Sequence, residues 1–309
     1  MNVSKVVIAI VFVLTLLALV HWGWKRQHAQ PIEEGVQVVA SFYPWAEFAR
    51  QAGGSLVHVT TVVPADSEPH EYEPTPQQLA QAYNAAVFIY NGSGFDPWAE
   101  RIAPELAQKG VRVINMSKAT SLLAAPAPGG EAEVSFDLHF WLNPVLVQTH
   151  VGVIRDALVA VDAAHASAYK AQADTYKKQL AALDQEYKAG LASCERRDIV
   201  TSHAAFGYLA KQYGLSLITV SGISTEEEPS ARAVSEIAKT AKEKNIQYIF
   251  FETLVSPKLA QTVASEIGAK TLVFNPLEGL TGQEQRAGAN YISVMRENLQ
   301  NLRTALKCT

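Results

Sequence analysis

Ser135-Phe-Asp-Leu-His-Phe-Trp-Leu-Asn-Pro144 opens the stretch of sequence that decides the fold, and this stretch continues to Leu191. After Pro144 the apolar residues recur at alternating spacings of four and three, which predicts one buried helix face; they are Val147, Val151, Ile154, Leu158 and Val161. Asp162 offers a side-chain oxygen to cap a second helix, whose apolar stripe is Tyr169, Ala173, Tyr176, Leu180, Leu183, Tyr187 and Leu191. Residues 163–189 contain no Gly or Pro, so we predict one helix of roughly 27 residues, about 40 Å long.

Short apolar segments alternate with helical patterns on both sides of this stretch, which is typical of α/β folds with parallel sheets. The predicted strands are Val36–Ala40, Val57–Val63, Ala86–Tyr90 and Val111–Ile114 before it, and Asp198–Thr201, Leu215–Val220, Tyr248–Phe251 and Thr271–Phe274 after it. We therefore predict an α/β protein with two lobes, each with a roughly four-stranded parallel sheet and flanking helices, bridged by one long backbone helix. The expected N-terminal lobe is 31–144, the helical linker 145–192 and the C-terminal lobe 193–309.

The N-terminal segment, residues 1–30, reads as a signal peptide or a signal anchor. Val6 to Val20 is uncharged, Lys5 precedes it and Lys25-Arg26 follows it. The sequence offers no convincing small-x-small cleavage site and no Cys directly after the apolar run to receive a lipid, so an uncleaved membrane anchor is favoured over cleavage and over a buried soluble helix. We expect an extracytoplasmic protein, periplasmic or at the cell surface.

Charge and cysteine content narrow the class of protein further. The net charge of −4 gives no reason to expect a nucleic-acid partner. The chain has two cysteines, Cys194 and Cys308. Because a cysteine pair outside the cytoplasm commonly bonds, we predict a disulfide between them, with two unpaired thiols as the alternative.

Three of the eight histidines stand at or just beyond strand or helix ends, where open α/β sheets form their ligand crevice. His70 is held in a loop by Pro69 and Pro74. His203 follows a strand at a predicted helix start, which disfavours imidazolium. His139 stands between Asp137, a candidate to orient its ring, and the aromatic Trp141.

The other histidines have plainer settings. His21 and His28 belong to the anchor and linker, and His58 alternates with valines on the outer face of a predicted strand. His150 and His165 sit among polar residues of helices, and we expect both to be solvated.

Carboxylates at strand ends complete the candidate site. Glu278 lies in an apolar, Gly-flanked turn, Glu252 follows another strand, and Glu71 adjoins His70. Three imidazoles and one carboxylate would suit a metal ion, but no short spacing such as His-Glu-x-x-His supports that interpretation. On the residues alone, a metal site and a set of surface histidines stay equally open.

At these residues the chain resembles the zinc/manganese solute-binding proteins of ABC importers, most closely their zinc-specific branch. The stretches that carry the resemblance are Ala40-Ser-Phe-Tyr-Pro44, Pro69-His-Glu-Tyr-Glu-Pro74, Asp137-Leu-His-Phe-Trp-Leu-Asn-Pro144, Thr201-Ser-His-Ala-Ala-Phe-Gly-Tyr208 and Asn275-Pro-Leu-Glu-Gly-Leu280. It covers about residues 36–306 and implies two four-stranded α/β lobes, one bridging helix and a metal ion between the lobes.

The resemblance implies that His70, His139, His203 and Glu278 bind Zn²⁺ as the transported ligand. Manganese-selecting members carry a carboxylate at the position of His203, so the histidine favours zinc over Mn²⁺. Asn275 or water remains an alternative to Glu278. The loop from Leu122 to Val134 contains none of the histidines found in some zinc members.

The function implied is capture of Zn²⁺ and its delivery to an ABC transporter permease by a monomer that is not an enzyme. Three alternatives remain open. One is a manganese- or iron-binding member of the same family. Another is an extracytoplasmic zinc hydrolase with an open coordination position and Glu71 or Glu278 as base. The last is a membrane-tethered interaction protein whose histidines are incidental.

Overall fold

The computed structural model describes residues 35–124, 136–220, 222 and 231–309. The predicted signal or anchor segment and most of the loop from Leu122 to Val134 lie outside the described residues, as do residues 221 and 223–230. Our predictions for those segments stay predictions.

Four parallel strands form the sheet of the first half of the chain, in the order β2-β1-β3-β4. They are β1 (Val36–Ala40), β2 (Val57–Thr61), β3 (Val87–Tyr90) and β4 (Arg112–Asn115). The helices between them are α1 (Tyr43–Gly53), α2 (Pro76–Tyr83) and α3 (Pro97–Gln108). Each helix has a proline in its first turn, where the missing N–H would have no partner in any case. A short antiparallel pair that the sequence did not predict follows: β5 (Leu123–Ala124) and β6 (Phe136–Asp137).

Two consecutive helices, α4 (Pro144–Val161) and α5 (Ala166–Gly190), carry the chain from the first sheet to the second. All seven residues of the predicted α5 stripe are buried, and so is the α4 stripe except Val161, which is 39% exposed at the helix end. By length and composition alone α4 also fits a membrane span, a test that a buried core helix passes as well, and four of its five predicted stripe residues are buried within the protein.

The predicted cap at Asp162 is wrong. Its Oδ2 accepts a hydrogen bond from the Tyr169 hydroxyl at 2.7 Å and lies 2.7 Å from Nδ1 of His165, and its side chain makes no capping hydrogen bond to the turn that follows. A 3₁₀ turn, Ala163–His165, therefore precedes α5. The long helix begins three residues later than predicted and is about 37 Å long.

The second half of the chain contains another four-stranded parallel sheet, in the order β10-β9-β7-β8. Its strands are β7 (Asp198–Thr201), β8 (Ser216–Thr219), β9 (Tyr248–Phe251) and β10 (Lys270–Val273). Its helices are α6 (Gly207–Tyr213), α7 (Ala231–Glu243), α8 (Lys258–Ile267), α9 (Gly282–Arg286) and α10 (Tyr291–Leu306). The predicted α/β class, with two four-stranded parallel sheets and one long helix, is confirmed. The lobe boundaries stay a prediction.

One continuous apolar cluster contains residues of both sheets and of α1, α4, α5 and α10. Trp141 links the two halves of the chain through two hydrogen bonds. Its Nε1 donates to the carbonyl of Pro276 at 2.8 Å, and its own carbonyl accepts from the Tyr291 hydroxyl at 2.7 Å. The predicted disulfide between Cys194 and Cys308 is present and joins the chain beyond α5 to the C-terminus. These contacts hold the segments that carry the candidate site in fixed positions.

Candidate metal centre

Four side chains that are far apart in the sequence converge at one point: His70, His139, His203 and Glu278. Each follows the carboxyl end of a strand, namely β2, β6, β7 and β10 in that order. One ligand atom from each lies within 4.8 Å of all the others. His139 and His203 are fully buried and Glu278 is 2% exposed.

The three imidazoles point their Nε2 atoms at one carboxylate oxygen. Oε1 of Glu278 lies 3.3 Å from Nε2 of His70, 3.2 Å from that of His139 and 3.4 Å from that of His203. Nε2 of His139 is also 3.3 Å from Nε2 of His70 and 3.4 Å from Nε2 of His203. The four atoms therefore lie close enough together to face one ion.

Asp137 fixes the orientation of His139, as the sequence predicted. Its Oδ1 accepts from the backbone N–H of His139 at 2.9 Å and lies 3.0 Å from Nδ1 of the ring. Trp141 and Phe95 stand beside the ring, with centroids 5.2 Å and 6.2 Å away. The distal nitrogen is thus held by a carboxylate, and Nε2 is left to face the cluster inside an apolar wall.

Glu252 holds His203 in the same way. Its Oε1 lies 2.6 Å from Nδ1 of His203 and also accepts from the hydroxyl of Ser202. Glu252 was a competing ligand candidate, but its contacts are with the far side of the imidazole. Ser202 was missed; its place immediately before His203 was the one signal available.

The His70 ring has no carboxylate at Nδ1 among its described contacts. Instead its backbone N–H donates to Oε2 of Glu68 at 3.1 Å, and the ring lies 4.5 Å from that of Phe95, centroid to centroid. Sequence reasoning missed Glu68. Burial, and next the charge of Glu278, raises the pKa of the Glu68 carboxyl to about 7.

A tight turn presents Glu278. Oδ1 of Asn275 accepts from the backbone N–H of Leu277 at 2.7 Å, and Leu277 has a positive φ of 57°. The amide of Asn298 bonds both the N–H and the carbonyl of Asn275. Since Nδ2 of Asn275 also donates to Glu284 at 3.0 Å, both polar side-chain atoms of Asn275 are engaged away from the cluster.

Charge is concentrated at this buried cluster. Burial by itself raises the pKa of Glu278, but the three imidazoles outweigh burial and hold that pKa well below its usual range. Burial likewise opposes ionisation of His203, yet Glu252 and Glu278 raise its pKa well above the ordinary value. The pKa of His139 is raised by Asp137 and Glu278 against burial, whereas burial dominates at His70 and lowers its pKa. The predicted helix start at His203 is wrong, because α6 begins only at Gly207. The groups that face the imidazole are the carboxylates of Glu252 and Glu278.

The remaining candidates lie outside the cluster. Glu71, His58 and His165 are exposed, as predicted for the two histidines. His150 contradicts its prediction: it is fully buried, its Nε2 lies 2.8 Å from Oγ1 of Thr120, and burial lowers its pKa to about 3.

Comparisons with known proteins agree with the fold and the cluster. A family model described as the periplasmic zinc-uptake complex component A, ZnuA, matches residues 38–305. The chain is 37% identical over 279 residues to the high-affinity zinc uptake system protein ZnuA of Bacillus subtilis, a match that covers 88% of each chain. It is 38% identical over 280 residues to the zinc-binding lipoprotein AdcA of Streptococcus pneumoniae, covering 87% of this chain and 55% of AdcA.

A solved structure has the same fold. The Zn(II)-bound ZnuA-like domain of Streptococcus pneumoniae AdcA superposes with a TM-score of 0.76 at 39% sequence identity. The superposition covers 88% of this chain and 99% of that domain. The shared fold therefore extends over nearly all of the described residues.

Proposed function

The chain belongs to the family of the periplasmic zinc-uptake complex component A, and we propose that it captures Zn²⁺ outside the cytoplasm and delivers it to an ABC permease. Members of this family are solute-binding components of zinc uptake and are not enzymes. The ligands we propose are Nε2 of His70, His139 and His203 and a carboxylate oxygen of Glu278.

The spacing of the four ligand atoms is the observation that carries this proposal. A tetrahedral zinc ion with bonds of about 2.0–2.1 Å to nitrogen and oxygen requires its ligand atoms to be about 3.3 Å apart. Five of the six distances among the four atoms are 3.2–3.4 Å. The sixth, between Nε2 of His70 and Nε2 of His203, is within 4.8 Å. A small closure of the His70 ring onto the ion would complete the tetrahedron.

The donor set supports zinc as the cargo. Imidazole nitrogen suits Zn²⁺, whereas Mn²⁺ prefers oxygen ligands in six-coordinate geometry. Four protein ligands from buried side chains leave no open position for a reacting water, which separates a binding site from a hydrolytic one. Asp137 and Glu252, at the far nitrogens of two imidazoles, increase the basicity of those ligands and fix their tautomers.

The rest of the chain serves delivery in this proposal. The helical linker 145–192 holds the lobes 31–144 and 193–309 in register, and the segment 1–30 tethers the monomer to the membrane beside its permease. Support for the tether comes from the uncharged run between Lys5 and Lys25.

A metal titration of the purified full chain tests the proposal. We expect one Zn²⁺ per chain, bound far more tightly than Mn²⁺, and a large loss of affinity in His139→Ala and in His203→Ala. His165→Ala is the matched control, because that histidine is exposed and belongs to a helix end. Absence of stoichiometric zinc, or unchanged affinity in both cluster variants, would reject the ligand set. Tight binding of Mn²⁺ instead of Zn²⁺ would move the assignment to the manganese branch.

A further inference from the structure

Gly207, the first residue of α6, lies against the carboxylate that orients His139. Oδ1 of Asp137 holds the backbone N–H and Nδ1 of His139, whereas Oδ2 of Asp137 is buried without a hydrogen-bond partner. A Cβ placed on Gly207 would overlap Oδ2 and lie 3.4 Å from Cγ of Asp137. At Gly207, the second half of the chain therefore packs directly against the Asp137 carboxylate, which orients a proposed ligand from the first half.

The backbone gives no reason for glycine at this position. Gly207 is absent from the residues with positive φ, so an L-residue can adopt its conformation without strain. Alanine is moreover the better helix former. What remains as a reason is the space that the missing Cβ leaves for the Asp137 carboxylate.

Neither partner in this contact can move away easily. Asp137 is 2% exposed and is fixed by its two contacts with His139. The segment around α6 is anchored on both sides of Gly207. The Phe206 ring stacks on that of Phe274 at 3.8 Å, and the Tyr208 hydroxyl accepts from the backbone N–H of Leu123 at 2.8 Å. An added methyl group would consequently displace the Asp137 carboxylate and turn the His139 ring with it.

We propose that Gly207 is a positioning residue for zinc capture: its lack of a side chain lets Asp137 hold His139 in the orientation that directs Nε2 at the ion. This inference rests on the proposed function, because it requires His139 to be a zinc ligand. Gly207 itself does not touch the metal. Through Asp137, the position of the first turn of α6 therefore affects the orientation of His139 in the other half of the chain.

The expected effect is a loss of zinc affinity in Gly207→Ala. Removing a carboxylate that orients a metal-bound histidine typically weakens metal binding about 10–100-fold. We expect about tenfold for Gly207→Ala and about 10–100-fold for Asp137→Ala. If the glycine acts through the carboxylate, Gly207→Ala should have no further effect once Asp137 is alanine.

The test is a double-mutant cycle on the full chain, with zinc affinity measured by chelator competition and folding measured by thermal melts without metal. The control is Gly152→Ala in α4, where the new Cβ would meet only Nζ and Cε of the flexible Lys177 side chain, at 3.0 and 3.8 Å. We expect the control to bind zinc as the unmodified chain does.

Each outcome decides the proposal. The proposal is supported if Gly207→Ala weakens zinc binding in the otherwise unmodified chain but has no further effect when Asp137 is already alanine. Unchanged zinc affinity in Gly207→Ala overturns the proposal. A loss of zinc affinity that is equally large with and without Asp137→Ala overturns it as well. If Gly207→Ala does not fold, recovery of folding in the double variant supports the contact, and failure of the double variant to fold overturns it. If the unmodified chain binds no zinc, the proposed function itself fails, which is a separate result.

Discussion

Replacing Glu252 by glutamine removes the negative charge that faces Nδ1 of His203 and keeps the shape of the side chain. Glu252 is 3% exposed, and its Oε1 both lies 2.6 Å from that nitrogen and accepts from Ser202. The amide oxygen of glutamine can still accept from Nδ1–H, so Nε2 stays available to the metal. The variant therefore isolates the contribution of charge, and Glu252→Ala removes the charge and the hydrogen bond together.

The size of the effect follows from the contact. A hydrogen bond to a charged group contributes about 1.5–3 kcal/mol, and each 1.4 kcal/mol is about a tenfold change in affinity. We expect Glu252→Gln to weaken zinc binding about tenfold and Glu252→Ala about 100-fold. The loss should arise from poorer orientation and lower basicity of His203, since Glu252 lies on the side of the ring that faces away from the ion.

Competition with a chelating indicator at pH 7.5 measures this difference. Glu243→Gln is the matched control, because that carboxylate is exposed and its pair with Lys239 is 4.0 Å long. Urea unfolding of the metal-free variants separates a lost ligand orientation from a lost fold. Unchanged zinc affinity in both Glu252 variants would refute the role assigned to this carboxylate.

Three further predictions concern the fold, all measured by urea unfolding of metal-free protein. Burial lowers the folded-state pKa of His150 from 6.5 to about 3, so its contribution to the free energy of unfolding is complete above pH 6.5 and is lost as the pH falls toward 3. Between pH 7.5 and pH 5, the free energy of unfolding of the wild type should therefore fall by about 2 kcal/mol more than that of His150→Gln. Equal losses in the two proteins would contradict this prediction. Replacing Cys194 and Cys308 by serine opens a loop of 114 residues and should cost about 4–5 kcal/mol, so an unchanged midpoint would show that the crosslink does not stabilise the fold. Leu180→Ala, at a fully buried position of α5, should cost about 2–5 kcal/mol; a cost below 1 kcal/mol would mean that the helix is not packed as described.

Regular elements were predictable because periodicity is a local property of the sequence. The α5 stripe from Tyr169 to Leu191 is buried as predicted, and the strands match within one or two residues at each end. The predicted helix boundary at Asp162 is wrong because two side chains three and seven residues further along the chain compete for its carboxylate. The Tyr169 hydroxyl and the His165 ring occupy the carboxylate, and neither contact is encoded in the capping pattern.

His150 shows that a residue's periodic position outweighs the polarity of its neighbours. It stands three residues after Val147 and four before Ile154, so it belongs to the buried face of α4. The polar neighbours Gln148 and Thr149 suggested solvent instead. The helical spacing was visible in the sequence and would have given the right answer.

The metal cluster was only partly predictable. Three histidines and Glu278 could be selected from their places at strand ends and from a family resemblance, but their convergence depends on the packing of two sheets. Glu252 and Glu278 occupy similar sequence settings. Only the fold decides that one faces the far side of His203 and the other faces all three Nε2 atoms.

Anomalous diffraction at the zinc edge, from crystals of the zinc-loaded protein, locates the bound ion and its ligands directly. We expect one strong peak about 2.0–2.2 Å from Nε2 of His70, His139 and His203 and from a carboxylate oxygen of Glu278. A peak at other residues, or an ion at this cluster that lacks Glu278 and any two of the histidines, would contradict this expectation.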